Sequence, residues 1–201
     1  MFGFPLKTEI NKPLPKKLIY ESFKMSKAEQ DAFDKEISRL YISNELSPST
    51  LQIEDGKSIH SFFVILVELK TKKYTEKNLV LITKLIPQNM IFALRYTNEI
   101  QAASVVKRFF HTQWMSETEA SLRLDGLTMD SIWENLIIQI GDIEIDSRYT
   151  LEQQITLDEK RANLQKHIDQ LEKTARNETQ PRKKLELFEA LQTLKKEKSI
   201  L

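Results

Sequence analysis

From Ser58 to Leu69 apolar side chains are nearly continuous, rich in Val, Ile and Phe and free of Gly or Pro. That pattern predicts a strand covered on both faces, a central member of a sheet. After it the period changes to that of a helix: Thr75 stands at a cap position, Leu79, Ile82, Leu85 and Ile86 share one face, and Pro87 stops the run. Met90 to Tyr96 then completes a strand, helix, strand unit. Thr97-Asn98-Glu99 predicts a hairpin turn into a strand from Ile100 to Phe110, and Glu119 to Leu124 is read as one more strand. Thr128 caps a helix whose apolar face carries Ile132, Trp133, Leu136, Ile137 and Ile140 and which Gly141 ends.

Upstream, Asn11 to Lys17 (NKPLPKK) holds two prolines that oppose regular pairing, so this stretch is expected to run extended over the surface. Ser26 and Glu29 form a capping-box pattern, and Phe33, Ile37, Leu40 and Tyr41 follow at helical spacing, which predicts a helix from Ser26 to Ile42. Asn44 to Pro48 would break it. Leu51 to Ile53 is read as a short strand leading to a turn at Asp55-Gly56. The fold class expected for residues 1–146 is α+β, a mixed, mainly antiparallel sheet covered by helices.

Residues 147–201 differ. Leu157, Leu164 and Leu171 recur every seven residues, with Ile168 and Ala175 at the alternate core position. The seam lapses from Arg176 to Lys184, around Pro181, and resumes in a different phase at Leu187, Leu191, Leu194 and Leu201. Two helices in a coiled-coil-like hairpin, with a break near residues 176–184, are expected rather than one.

Composition narrows the classes. Lys and Arg number 30 against 29 Asp and Glu, a net charge of +1, which argues against a general electrostatic hold on nucleic acid or anionic membrane. The absence of cysteine excludes disulfides, thiolate metal sites and cysteine nucleophiles. No apolar run approaches the roughly 20 residues that span a bilayer, and Pro5 and Lys7 interrupt the amino terminus before a signal-peptide core forms. A cytoplasmic protein without a membrane partner is expected.

Four patches, FGFPLKTEINKPLPKK at the start, ITKLIPQNMIFAL at Ile82 to Leu94, VVKRFFHTQW at Val105 to Trp114 and RNETQPRKKLEL at Arg176 to Leu187, together resemble a bacterial domain-of-unknown-function family, four-three-nine-one. The resemblance implies a companion of DNA methyltransferases and helicases in restriction or phage-defence gene clusters, and no catalytic residues to carry over. Thr83 stands where the family tends to have an acidic residue, and near Pro181 the family tends to have an aromatic or bulky one.

The chemistry legible in the residues is sparse. Asp55 followed by Glu68 and Lys70 imitates the carboxylate, carboxylate, lysine order of metal-dependent nucleases. An unbroken strand from Ser58 to Leu69, at about 3.3 Å per residue, would set the carboxylates roughly 40 Å apart, too far to share a cation. His60, His111 and His167 lack paired ligand spacing, and the scattered glycines build no phosphate loop. No cofactor is expected. Three basic clusters, Lys12, Lys16 and Lys17, then Lys70, Lys72 and Lys73, then Arg182, Lys183 and Lys184, could hold phosphates if the fold gathered them, with Tyr20, Tyr74 or Trp114 for stacking. Trp133 is expected in the core, and Trp114 in a core or a binding role.

The function expected on these grounds is that of a non-enzymatic accessory protein whose tail associates with a protein partner or with itself through Leu157, Leu164, Ile168, Leu171, Leu187, Leu191 and Leu194. The tail could instead satisfy these leucines internally or on its own domain. A nucleic-acid-binding or metal-dependent nuclease accessory is the alternative.

Overall fold

The computed structural model describes residues 1–146 and 148–200, residue 200 without its side chain. The chain folds as two compact units, Met1–Glu144 and Ile145–Leu201.

The first unit is built on a seven-stranded mixed sheet in the order β1-β2-β3-β4-β5-β6, with β7 also on β5. Its strands are β1 (Glu9–Pro13), β2 (Ile37–Leu46), β3 (Phe62–Leu69), β4 (Asn89–Tyr96), β5 (Glu99–Val106), β6 (Arg108–His111) and β7 (Met115–Ser116). Only β3 and β4 run parallel, joined by helix α4 (Glu76–Leu85), which follows α1 (Lys16–Ser22), α2 (Lys27–Glu36) and the short α3 (Pro48–Leu51). The α+β class with a mainly antiparallel sheet is as expected.

The apolar run at β3 is central for the reason its composition suggested: Ile65 and Val67 join one core with Phe33, Leu79, Ile82 and Phe92 under the helices, while Phe62 meets Trp133 at 5.2 Å between ring centroids. Trp133 lies on α5 (Met129–Gly141), which Thr128 and Ser131 cap reciprocally.

Several local expectations are corrected. The helix from Ser26 ends at Glu36, and Ile37 begins β2. Ile37, Leu40 and Tyr41 suit either period, and bulges between Ile37 and Arg39 and between Ile42 and Asn44 hide the strand alternation; pairing with β3 decides it. The proline-bearing arm forms the edge strand β1, where Pro13 needs no outward donor, and Lys16 and Lys17 open α1. Leu51 closes a helical turn, so the strand expected at Leu51 to Ile53 is absent and Glu54 makes an isolated bridge to Thr128. The strand from Ile100 folds back at Lys107, φ +59°, giving β5 and β6. Residues 119–124 are irregular; β7 comes earlier.

Thr75 begins α4 without capping it by its own side chain. The carboxylate of Glu36 anchors this N-terminus from outside the helix, accepting from the Thr75 N–H at 2.9 Å, the Thr75 hydroxyl at 2.6 Å and the Asn78 side-chain amide at 2.7 Å.

The second unit contains α6 (Leu151–Asn177) and α7 (Pro181–Ile200), two helices as expected from the phase change. No described helix is long and apolar enough to cross a membrane.

Candidate functional site

The helical hairpin follows from local sequence. Thr150 and Gln153 cap α6 reciprocally, and after its last residue, Asn177, the Glu178 carboxylate accepts from the Gln180 N–H at 2.9 Å. Pro181 is the first residue of α7, a position where its missing N–H costs nothing. Glu172 pairs with Lys195 at 2.7 Å and Gln165 accepts from Lys198. Since one helix number falls as the other rises, the helices are antiparallel. Lys195, as hydrogen-bond donor and neighbouring charge, holds the Glu172 carboxyl below its ordinary range.

Ile168, Ala175 and Leu191 form the buried seam, with Leu171, Leu187 and Leu194 packed around it. Five of the seven leucine and isoleucine positions proposed for association are thus brought together inside the hairpin. Leu157 and Leu164 are half-buried outside this cluster, and Leu201 lies outside the described residues.

A second apolar pair on α7 was not singled out in the sequence. Leu185 is 61% exposed and Phe188 47% exposed. At 3.6 residues per turn they lie about one turn apart; Leu185 is turned well away from Leu187, Leu191 and Leu194, while Phe188 stands at the edge of that stripe, about 60° round the helix from Leu191. The signal was present as two interleaved apolar spacings in α7, but only the choice of which one meets α6 separates them.

The nuclease-like residues are dispersed. Asp55 pairs with His60, Nδ1 lying 3.0 Å from both carboxylate oxygens. Glu68 is bonded to Arg95, which also reaches Glu117 at 3.3 Å. The strand begins at Phe62, later than expected, yet Glu68 still lies near its far end, about 20 Å along β3 at 3.3 Å per residue. Lys70 is exposed beyond it. Among the described residues no group of three or more His, Asp or Glu is placed to hold a metal ion.

His60 instead borders a polar cleft of about 450 Å³ with Ser58, Ser61, Thr83, Pro87, Gln88 and Asn89. The Thr83 hydroxyl donates to the Val80 carbonyl at 2.9 Å, within its own helix. His111 neighbours the buried Gln101, which accepts from the Tyr74 hydroxyl at 2.7 Å. Burial, followed by the charge of Glu76, pushes the Tyr74 hydroxyl up to about 12.

Of the basic residues, Lys16 is bonded to Asp34 and the Ile37 carbonyl, Lys17 pairs with Glu21, Lys72 with Glu99, and Arg182 with Glu186. Lys16 and Lys70 both act on Asp34, so the first two clusters approach one another there. Lys12, Lys73 and Lys183 are exposed and Lys184 half-exposed. Trp114 packs half-buried against the main core, with the Lys72 ammonium 5.7 Å from its ring centroid.

A family model described as a domain of unknown function, DUF4391, matches residues 2–197. No curated protein and no solved structure matches the chain.

Proposed function

We propose that this chain, which belongs to the DUF4391 family, is a non-enzymatic accessory protein that associates with another protein through its C-terminal helical hairpin. The observation that carries this reading is the exposure of Leu185 and Phe188 on α7 beside a seam already filled by Leu187, Leu191 and Leu194. Full burial of a leucine or phenylalanine contributes roughly 1.5 to 3 kcal/mol, of which these two half-covered side chains leave about half unrealised, and paired at helical spacing they suit a partner's apolar surface. The dispersal of Asp55, Glu68 and Lys70 supports the non-enzymatic part of the reading. The setting that the family resemblance implies, beside a DNA methyltransferase or helicase, makes such an enzyme the first partner to look for.

The test is affinity capture from the native host with the tagged full chain and with the Leu185→Asp/Phe188→Asp variant. A protein recovered with the parent chain and lost with the variant, at unchanged helix content, is expected. Equal recovery with both would sink the reading.

A further inference from the structure

We infer that the outer edge of the sheet, along β6 and the loop into β7, is a site for single-stranded nucleic acid, an inference independent of the hairpin. In β6 the pairs Val105↔Phe109 and Ala103↔His111 are two residues apart, so Phe109 and His111 stand on the same face of the sheet. Trp114 lies on that side as well, since it and Phe109 pack against the core cluster that holds Ala103 and takes in Val105. Three rings thus follow one another along one edge. Phe109 and His111 are 5.6 Å apart between ring centroids, tilted by 42°, and Tyr74 meets Phe109 edge-on at 6.2 Å. His111 is exposed, and Phe109 and Trp114 are half-buried.

A buried polar side chain holds this row from beneath. Gln101, only 4% exposed, accepts from the Tyr74 hydroxyl at 2.7 Å, donates to the Thr112 carbonyl at 2.6 Å and lies 3.1 Å from His111 Nδ1. Burying an amide is costly unless its hydrogen bonds are made. Here one amide orders Tyr74, the end of β6 and the exposed His111 ring together.

Charge around the rings carries both signs, with lysines in excess. Lys72 sits 5.7 Å from the Trp114 centroid, which marks the open face of that ring, and Glu99 is its counter-ion. Lys70 and Lys73 are exposed and have no carboxylate at ion-pair distance among the described residues, although Lys70 acts on Asp34 at longer range. The nearby carboxylates are Glu99, Glu76, whose charge reaches Tyr74, and two already engaged: Glu36 with Thr75 and Asn78, and Glu117 with Arg95.

Rings in a row with lysines off one end match the way single strands are held, bases on successive aromatic side chains and backbone past cations. A strand along β6 sets one base against His111 and Phe109 and another on Trp114, where it displaces Lys72 and leaves that ammonium and Lys73 for phosphates. Duplex DNA is the poorer ligand, because its base faces are covered by their neighbours.

The probes are labelled thymidine and uridine strands of about 12 nucleotides, with a DNA duplex of equal length, titrated with the full chain by fluorescence anisotropy at about 50 and 200 mM salt. At least one single strand is expected to bind, and the duplex to bind about fivefold or more weakly, the scale of one stacked base; the order of the two strands assigns DNA or RNA. His111→Ala should weaken strand binding about fivefold or more with the salt slope unchanged. Lys73→Glu should weaken it and flatten that slope by about 0.7. Both positions are exposed, and circular dichroism checks that the fold is kept. Absence of strand binding at the lower salt, equal binding of the duplex, or unaltered affinity in His111→Ala overturns the inference. Leu185→Asp/Phe188→Asp should bind the strand as the parent does, whatever happens to its protein partner; loss of strand binding in that variant would move the site to the hairpin and overturn the inference too.

Discussion

Asp130, in the first turn of α5, accepts the backbone N–H of Ile59 at 2.7 Å, tying the loop that enters β3 to a helix more than seventy residues later. The same carboxylate accepts from Lys57 at 2.6 Å and Ser58 at 3.1 Å. The loop's approach is close: a Cβ on Gly56 would clash with the Ile59 carbonyl oxygen and lie 2.6 Å from the Asp130 carboxylate.

Asp130→Ala is expected to cost about 1 kcal/mol, the low end for losing charged hydrogen bonds because the carboxylate is open to solvent. Burial would raise the Asp130 carboxyl, but the three N–H groups and nearby His60 outweigh it and hold it below the ordinary range. A carboxyl depressed in the folded state contributes stability above its unfolded value, about 3.9, and loses that contribution as pH falls through the lower folded value. Urea unfolding below pH 4 should therefore show a shallower acid loss in Asp130→Ala than in the parent. Parallel curves would contradict the linkage.

Glu36→Ala should destabilise by about 1 kcal/mol, the scale of charged hydrogen bonds lost at a partly open site, because Glu36 accepts from the Thr75 N–H, the Thr75 hydroxyl and the Asn78 side chain at the start of α4. Thr75→Ala added to Glu36→Ala should cost less than it does alone. Denaturation of the double-mutant cycle measures the coupling, and strict additivity would show that the two residues do not act together.

Thr97→Gly should stabilise by up to about 1 kcal/mol. Thr97 opens the two-residue turn between β4 and β5 at φ +52°, a conformation that a β-branched residue resists. A lower thermal midpoint for Thr97→Gly would show that the hydrogen bond from the Thr97 hydroxyl to the Tyr96 carbonyl, 2.7 Å long, matters more than the backbone strain.

Leu191→Asp should reduce helix content, because Leu191 is only 4% exposed in the hairpin seam. Leu191→Ala should cost about 2 kcal/mol, the lower range for a buried leucine, since the surrounding cluster is small. Phe188→Asp should leave far-ultraviolet circular dichroism unchanged. Equal loss of helix in both variants would assign Phe188 to the seam as well.

Local signals were readable wherever the physics was local. The Ser26 and Glu29 capping box, the Thr128 cap of α5 and the apolar run of β3 depend on residues within one or two turns or one strand; both caps are found where the residue pattern put them, and the strand covers the expected run from Phe62 on. The ends of elements were less legible. The residues after Glu36 and the break at Lys107 answer to strand pairing across the sheet, so their conformation depends on partners distant in sequence. Thr75 occupies a cap position, but its hydroxyl donates to Glu36 and not into the helix start, and no spacing rule connects the two.

The candidate surface divides in the same way. Sequence by itself determined that the tail is helical, that it breaks at Pro181 and that leucines line it, because propensity, capping and heptad spacing act within a helix. Tertiary structure alone decided which apolar stripe of α7 meets Ile168 and Ala175 and which remains in water. Burial is a property of the pair of helices: α7 offers both Leu187 with Leu191 and Leu185 with Phe188, and the rotation of the helix about its axis selects one stripe for the seam, leaving the other exposed.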